Sequence, residues 1–191
     1  IGEYAVMINS EGWLNNNIKS NLTIIELKNY DRKVTYDLPI LPSPNLPNRK
    51  SINLYPSLCL FEGTNVSAGR GTEMQFQIYG SPYLNKEKNN FRFTPKKNSG
   101  SKYPKHENLL CYGKNLSENK KLDKFDLSFL LNAYSDTNDK QNFFNNYFDK
   151  LAGTNSLKNQ IISGLSEKKI IQSWKKKLDI YKEMRMKYLI Y

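Results

Sequence analysis

The stretch from Leu60 to Thr72, LFEGTNVSAGRGT, combines three glycines with carboxylate, amide, hydroxyl and guanidinium groups. Glycine lets the backbone adopt positive φ and approach a ligand closely. The polar side chains supply hydrogen-bond donors and acceptors in a fixed order. The stretch therefore predicts a loop that binds a polyhydroxylated or anionic ligand through its polar members, which are Glu62, Asn65, Ser67, Arg70 and Thr72.

A structural turn is the alternative interpretation of the same loop. An internal ion pair between Glu62 and Arg70 would hold a glycine-rich turn without any ligand. Neither familiar phosphate-binding motif is present, because no Lys-Ser or Lys-Thr pair follows Gly71 and the glycine spacing is not that of a dinucleotide site. The sequence leaves the binding loop and the structural turn open.

Short strands are predicted on both sides of this loop. Their signals are β-branched and aromatic residues, with alternation of apolar and polar positions in some of them. A basic loop from Lys96 to Lys105 is rich in serine and lysine and is expected to be exposed and mobile. The predicted strands are Leu22–Leu27, Ile52–Leu60, Met74–Tyr79, Phe91–Phe93 and Leu109–Tyr112.

Five prolines lie between Pro39 and Pro56 and indicate a boundary in the chain. Proline lacks a backbone donor and pushes the preceding residue towards extended conformations. We expect LPILPSPNLPN, residues 38–48, to be a rigid extended connector, neither helix nor central strand.

The apolar period becomes helical after Asp123. Four helices are predicted, the second ending at Gly153, the third capped by Thr154 and the last capped by Ser166. The apolar stripe of the last helix favours core packing, with a membrane or partner surface as the alternative. Strands first and helices afterwards predict an α+β fold.

The net charge of +11, from 29 Lys and Arg against 18 Asp and Glu, favours polyanionic partners. Nucleic acid and a carboxylate-bearing cell-wall polymer both fit, and a Lys- and Asn-rich composition of an AT-rich genome would also explain the charge. No RNA- or DNA-binding motif accompanies the charge, so we expect no nucleic-acid partner. No apolar run approaches the roughly 18 residues of a membrane span, so none is expected.

Cysteine and histidine give little sign of a metal or cofactor. Cys59 and Cys111 lie among apolar residues and are expected to be buried thiols, or a disulfide in an oxidising compartment. His106, the sole histidine, is expected to be a solvated loop residue. We expect no metal and no cofactor.

Several longer motifs in order carry a family resemblance. The chain resembles the C-terminal half of the NamZ-type exo-β-N-acetylmuramidase family, formerly a domain of unknown function. The resemblance covers nearly the whole chain. The motifs are GEYAVMINSEGWL from Gly2, PSPNLPN from Pro42, YPSLCLFEGTNVSAGRGT from Tyr55, FQIYGSPYL from Phe76, FDKLAGT from Phe148 and the closing SWKKKLDIYKEMRMKYLIY.

This resemblance implies a two-domain bacterial glycoside hydrolase of cell-wall recycling. Such an enzyme removes N-acetylmuramic acid from the non-reducing ends of peptidoglycan fragments in the periplasm or outside the cell, although no targeting signal is visible here. Residues 1–40 would be the tail of a Rossmann-like N-terminal catalytic domain. Residues 41–191 would be a C-terminal α+β domain lining the active-site cleft. The chain starts at Ile1 without Met, so we expect an internal position of a longer protein, with the rest of the N-terminal domain as its partner.

The resemblance also implies roles for particular residues. Its main acid is expected in the missing N-terminal domain, so the isolated chain is expected to be inactive. Arg70 would clamp the lactyl carboxylate, and Glu62 would accept from sugar hydroxyls or serve as the second carboxylate. Ala68 departs from an acidic residue found in relatives. The matching positions are Glu62, Asn65, Ser67, Arg70 and Thr72, with Asn9 and Glu11 from the first motif. For Glu11, a structural role is the alternative. The competing function is a non-catalytic module that binds cell-wall glycan.

Overall fold

Helices and one small antiparallel sheet make up the fold, which confirms the α+β class. The structure is a computed structural model that describes residues 1–191. The helices are α1 Gly2–Ser10, α2 Arg49–Leu58, α3 Ser128–Asp136, α4 Phe148–Ala152, α5 Ser156–Ile162 and α6 Glu167–Met186, and the strands are β1 Ile78–Ser81, β2 Phe91–Phe93 and β3 Cys111–Asn115.

The chain packs as two units, of which the first contains Ile1–Asp37 and Ile171–Tyr191, and the second contains Leu38–Ile170. The predicted domain boundary near residue 40 lies close to the first change of unit. Residues 171–191 cluster with the N-terminal segment, although the sequence assigned them to the second domain.

Hydrogen bonds to the Glu3 carboxylate connect the two segments of the first unit. Glu3 accepts from the Arg32 guanidinium and, at 2.8 Å, from the backbone N–H of Ile190. These donors lower the pKa of Glu3 to about 2. Arg32 Nε also donates to the carbonyl of Tyr191 at 2.9 Å. The loop at residues 28–33 is thereby fixed against the last residues of the chain.

The predicted strand Leu22–Leu27 is wrong for this chain. These residues have no regular secondary structure, and residues 21–26 form no backbone hydrogen bond. A strand requires a neighbour for its backbone donors and acceptors, and no segment of the chain supplies one here. Ile25 and Leu27 are 90% and 62% exposed, so the apolar side chains that suggested a strand are uncovered.

Residues 52–60, predicted as a strand, form most of helix α2 and the start of a 3₁₀ turn at Cys59–Gly63. The helix begins with a capping box, in which the Asn48 side chain accepts from the Ser51 N–H and Ser51 Oγ accepts from the Asn48 N–H. Leu54 and Leu58, one helical turn apart, are fully buried. Burial of this face and the cap outweigh Pro56, which lies inside the helix. Residues 38–48 contain neither helix nor strand, as predicted.

The sheet has the order β1-β3-β2, with both pairs antiparallel. The predicted strand Phe91–Phe93 is confirmed. The strand predicted at Met74–Tyr79 begins later, because Phe76 adopts φ +51° in a turn, and the strand predicted at Leu109–Tyr112 starts at Cys111. Gly113 in the central strand lies opposite Gly80 on one side and Phe91 on the other.

The four predicted C-terminal helices are all present as α3 to α6. Gly153 ends α4 in the left-handed conformation, with φ +69°. Thr154 Oγ1 accepts from the Ser156 N–H at 3.1 Å, one residue outside the cap position expected for it. Ser166 immediately precedes α6, and its Oγ accepts from the Lys169 N–H at 3.5 Å. None of the helices has both the length and the hydropathy needed to cross a bilayer.

Aromatic side chains fill much of the core of the second unit. Tyr79 stacks on Phe61 with ring centroids 4.9 Å apart, which attaches β1 to the 3₁₀ turn after α2. Phe144 contacts Phe143 and Phe148 edge to face. Both cysteines are free thiols, and burial raises the pKa of Cys111 to about 12. The core therefore sits between the sheet, α2, α3 and α4.

Gly113→Ala tests the close approach of β1 and β3. A Cβ at this position would lie 1.8 Å from the Tyr79 carbonyl oxygen, so the strands would have to separate. We expect a loss of unfolding free energy several times that of Gly164→Ala in urea denaturation. Gly164 is a matched control, because it has φ +75° and open space around it, and its substitution costs roughly 1–2 kcal/mol. Equal losses for the two variants would contradict the strand register.

Candidate functional site

The glycine-rich loop lies between the 3₁₀ turn after α2 and strand β1, not between two strands as predicted. Ser67 pairs with Gly80 of β1 through two backbone hydrogen bonds of 2.8 and 2.9 Å. Gly69 and Gly71 have φ +78° and +81°, which confirms the conformational need for glycine at these positions. One end of the loop is thus fixed to the sheet and the other to α2.

The basic loop, residues 96–105, packs across the glycine-rich loop. The Lys96 N–H donates to the Gly71 carbonyl at 2.7 Å, and Asn98 Nδ2 donates to the Thr72 carbonyl at 3.3 Å. A Cβ on Gly71 would lie 2.5 Å from Pro104 Cβ. Lys96, Lys97, Ser99, Lys102 and Tyr103 are exposed, as predicted, whereas Ser101 and Pro104 are buried. Glycine at residue 71 allows the two loops to approach this closely.

Lys105 is the residue that the sequence analysis missed. Its side chain is mostly buried, and Nζ donates to the carbonyls of Phe61 at 2.9 Å, Val66 at 3.0 Å and Thr64. Burial lowers the pKa of Lys105 to about 8, opposed by the nearby Glu62 carboxylate. No spacing or periodicity distinguishes Lys105 from the other lysines of the chain, so sequence reasoning had no signal for it.

His106 is not a solvated loop side chain, contrary to expectation. Its Nε2 lies 2.6 Å from the Asn65 carbonyl oxygen, so this nitrogen carries the proton and donates it. The ring contacts Tyr83 edge to face at 5.8 Å between centroids. Burial lowers the pKa of His106, so the imidazole is neutral at pH 7. Lys105 and His106 together tie the basic loop to the turn at residues 61–66.

A cavity of about 310 Å³ opens beside these contacts. Three of the predicted site residues, Glu62, Ser67 and Arg70, line it together. Lys105 contributes a second cation, and Tyr103 and Tyr147 contribute exposed aromatic surface. We call this the Arg70 cavity; its lining residues are Glu62, Val66, Ser67, Ala68, Arg70, Ser101, Tyr103, Lys105 and Tyr147.

Arg70 is only partly used by the protein itself. Its Nη1 lies 3.5 Å from Glu62 Oε1, a long contact between side chains that are 42% and 33% exposed. Arg70 Nε is buried and has no hydrogen-bond partner. A buried N–H of a charged group without an acceptor is costly. Nε therefore keeps an unused donor, while the partly exposed Arg70 side chain lines the cavity.

The other predicted residues of the loop have different surroundings. Thr72 Oγ1 donates to the Gly69 carbonyl at 2.7 Å and accepts from the Met74 N–H at 3.0 Å, so it holds the turn. The side-chain amide of Asn65 is buried and has no hydrogen-bond partner. Ala68 lines the Arg70 cavity with an apolar methyl group where relatives were expected to carry an acid. Fewer negative charges at the cavity favour an anionic ligand.

Asn9 and Glu11 belong to the first unit, where each has a structural partner. The Asn9 amide donates to the Ser20 carbonyl at 2.9 Å and accepts from the Ser20 N–H at 2.7 Å. Glu11 accepts from the Tyr188 hydroxyl at 2.5 Å. The side chains of both residues are thus engaged within the first unit.

A larger cavity, of about 610 Å³, lies within the first unit. Its charged lining residues are Glu3 and Arg32, which pair with each other. Nowhere in residues 1–191 do three or more His, Cys, Asp or Glu side chains form a group that could hold a metal ion. Glu3 and Arg32 thus satisfy each other, whereas Arg70 Nε has no partner.

The Arg70 cavity has the chemistry of a site for an anionic, hydroxylated ligand. Two cations face one carboxylate, so the local charge attracts an anion. Glu62 and Ser67 can hydrogen-bond hydroxyl groups, and the phenol rings offer flat surface to a sugar. Only one carboxylate lines the cavity, whereas glycoside hydrolysis in most families needs two. The Arg70 cavity thus contains one of the two carboxylates that such a reaction uses.

Comparison with known proteins defines the class to which the chain belongs. Residues 53–191 match the family model described as exo-beta-N-acetylmuramidase NamZ, C-terminal, and residues 1–50 match its N-terminal counterpart. The chain is 35% identical to the peptidoglycan beta-N-acetylmuramidase NamZ of Bacillus subtilis, covering 100% of this chain and 50% of that protein. The chain belongs to the NamZ family, as its motifs predicted.

Two solved structures share the fold. A DUF1343 family protein from Bacteroides fragilis matches with a TM-score of 0.93 and 43% identity, over 100% of this chain and 54% of that chain. A second DUF1343 family protein from the same organism matches with a TM-score of 0.74 and 19% identity, over 100% of this chain and 55% of that one. The chain spans about half the length of the relatives it matches.

A double-mutant cycle of Glu62→Ala and Arg70→Ala distinguishes the two interpretations of the glycine-rich loop, a binding loop and a structural turn. An exposed pair at 3.5 Å typically contributes roughly 0.2–1 kcal/mol. We expect a coupling free energy below about 1 kcal/mol in urea denaturation, because the loop is held by backbone hydrogen bonds and Lys105. A coupling above about 2 kcal/mol would show that the ion pair itself maintains the turn.

Proposed function

We propose that the chain is the C-terminal part of a peptidoglycan hydrolase that releases N-acetylmuramic acid from non-reducing glycan ends, with the Arg70 cavity as its muramyl-binding wall. The observation that carries this proposal is the buried, unpartnered Nε of Arg70 beside Glu62 and Lys105. Membership of the NamZ family supports the substrate class.

Arg70 would bind the lactyl carboxylate of muramic acid. A guanidinium donates two parallel hydrogen bonds to a carboxylate, and such charge-assisted bonds are stronger than neutral ones. Nε has no partner in the protein, and the contact of Nη1 with Glu62 is long. N-acetylglucosamine lacks the lactyl carboxylate, so this contact would select muramic acid over it.

Glu62 would accept hydrogen bonds from sugar hydroxyls or act as the second carboxylate of the reaction. Its position 3.5 Å from Arg70 places it at the same end of the cavity as the proposed carboxylate contact. The general acid would come from the N-terminal domain outside this chain. The isolated chain would then bind muramyl ends without cleaving them. The alternative function of the chain is therefore that of a non-catalytic glycan-binding module.

The exposed apolar side chains of the first unit fit a contact surface for that N-terminal domain. Ile25, Val34 and Tyr36 are between 66% and 90% exposed. Exposed apolar patches are often interaction surfaces, and the chain spans about half of its relatives. Residues 1–40 would complete a Rossmann-like domain. The substrate would place the protein in the periplasm or outside a bacterial cell, in cell-wall recycling.

Arg70→Ala tests the carboxylate contact in the chain preceded by the N-terminal half of the 43% identical Bacteroides fragilis protein. We expect kcat/KM for muramic acid release from a disaccharide with a non-reducing muramic acid end to fall roughly 10- to 100-fold, because a hydrogen bond to a charged group contributes about 1.5–3 kcal/mol. Arg92→Ala, an exposed arginine of β2, is the control and should change the rate less than twofold.

The same assay separates hydrolysis from binding alone. Release only by the extended protein, together with binding of N-acetylmuramic acid by residues 1–191, supports the two-domain hydrolase. If both the chain and the extended protein bind N-acetylmuramic acid but neither releases it from the disaccharide, the result supports the glycan-binding module and not the hydrolase. An Arg70→Ala variant with unchanged kcat/KM would contradict the proposed carboxylate contact.

A further inference from the structure

We propose that Lys105 is a positioning residue of the Arg70 cavity: its ammonium group gathers the carbonyls of residues 61–66 and so holds Glu62 and Arg70 where a sugar carboxylate binds. The identity of that ligand rests on the function proposed above. The geometry of the lysine is independent of it.

The hydrogen-bonding capacity of the ammonium group supports a positioning role. An ammonium has three N–H donors, and Nζ of Lys105 meets three backbone carbonyls, those of Phe61, Thr64 and Val66. No donor remains for a ligand, so Lys105 acts through the turn and does not touch the reacting sugar.

The three acceptors flank the residues that line the cavity. The Phe61 carbonyl belongs to the peptide that leads into Glu62, and the Val66 carbonyl leads into Ser67. The Phe61 carbonyl also accepts from the Thr64 N–H at 3.0 Å within the turn. A single cation bound to all three carbonyls fixes the spacing of the two lining segments.

The charge of Lys105 also contributes to the cavity. Lys105 and Arg70 both line it, opposite the single carboxylate of Glu62. The neighbouring His106 is neutral at pH 7 because burial lowers its pKa, and the remaining titratable lining groups are the phenols of Tyr103 and Tyr147. The positive charge of the cavity therefore comes from Arg70 and Lys105.

Substitution tests the inference with N-acetylmuramic acid as the probe and the 191-residue chain as the protein. We expect Lys105→Met to weaken binding at least tenfold in an NMR titration. Lys105→Arg should also weaken binding, because a planar guanidinium cannot replace a rotatable ammonium among three converging carbonyls. Lys102→Met, an exposed lysine of the same loop, is the matched control and should bind within twofold of wild type. Wild-type affinity in folded Lys105→Met would overturn the proposal.

A pH titration of the wild-type chain needs no variant, so it remains decisive if Lys105→Met does not fold. Burial lowers the pKa of Lys105 to about 8. As the pH rises through this value, the ammonium becomes an amine with two donors and no charge. We expect the ¹³C carbonyl signals of Phe61, Thr64 and Val66 to shift together with one midpoint near pH 8, while the carbonyl of Gly164 does not.

The two measurements distinguish failure of this inference from failure of the proposed function. Suppose that the three carbonyl signals shift together with pH but the chain binds no N-acetylmuramic acid. This result would support the positioning role of Lys105 and contradict N-acetylmuramic acid as the ligand. Suppose instead that the chain binds N-acetylmuramic acid but the three carbonyl signals show no shared shift up to pH 11. This result would overturn the positioning role of Lys105 and leave the proposed ligand supported.

Discussion

The contact of one ammonium group with three backbone carbonyls holds the site together. Lys105 reaches from the basic loop to Phe61, Thr64 and Val66, and His106 adds a bond to the Asn65 carbonyl. A buried cation is costly unless hydrogen-bonded, and here each N–H of the ammonium has an acceptor. The turn, the basic loop and β1 therefore form one unit, with Glu62 and Arg70 on its surface.

Residues of the glycine-rich loop have different roles in this arrangement. Thr72, Ser67 and the glycines shape the backbone, and Gly71 lets the basic loop approach. Glu62 and Arg70 remain with spare hydrogen-bonding capacity. The glycines and Thr72 fit the interpretation as a structural turn. Glu62 and Arg70, which line the cavity, fit the interpretation as a binding loop.

Sequence patterns predicted the features that depend on local chemistry. Residue type and period predicted the α+β class, the helices from α3 to α6 and the end of α4 at Gly153. They also predicted Glu62, Ser67 and Arg70 as members of one loop, and these three residues line one cavity. Helix α2 was not predicted because residues 52–60 form a short apolar run, which is also typical of a strand. The capping box at Asn48 and the burial of Leu54 favour the helix. Tertiary packing overrides propensity in such short segments.

Contacts between distant residues could not be predicted in this way. Lys105 is one of many lysines in the chain, and only its burial against a turn 39 to 44 residues away gives it a role. Residues 22–27 show the opposite case, a strand-like pattern with no partner in residues 1–191. The chain covers about half the length of its Bacillus subtilis relative.

The proposed function requires the Arg70 cavity to receive the carboxylate of a muramyl sugar. A crystal structure of the chain with N-acetylmuramic acid tests it most directly. We expect the lactyl carboxylate about 2.7–2.9 Å from the Arg70 guanidinium, a distance typical of a charge-assisted hydrogen bond, with sugar hydroxyls near Glu62. A sugar bound elsewhere, or one whose carboxylate faces solvent away from Arg70, would contradict the proposed function.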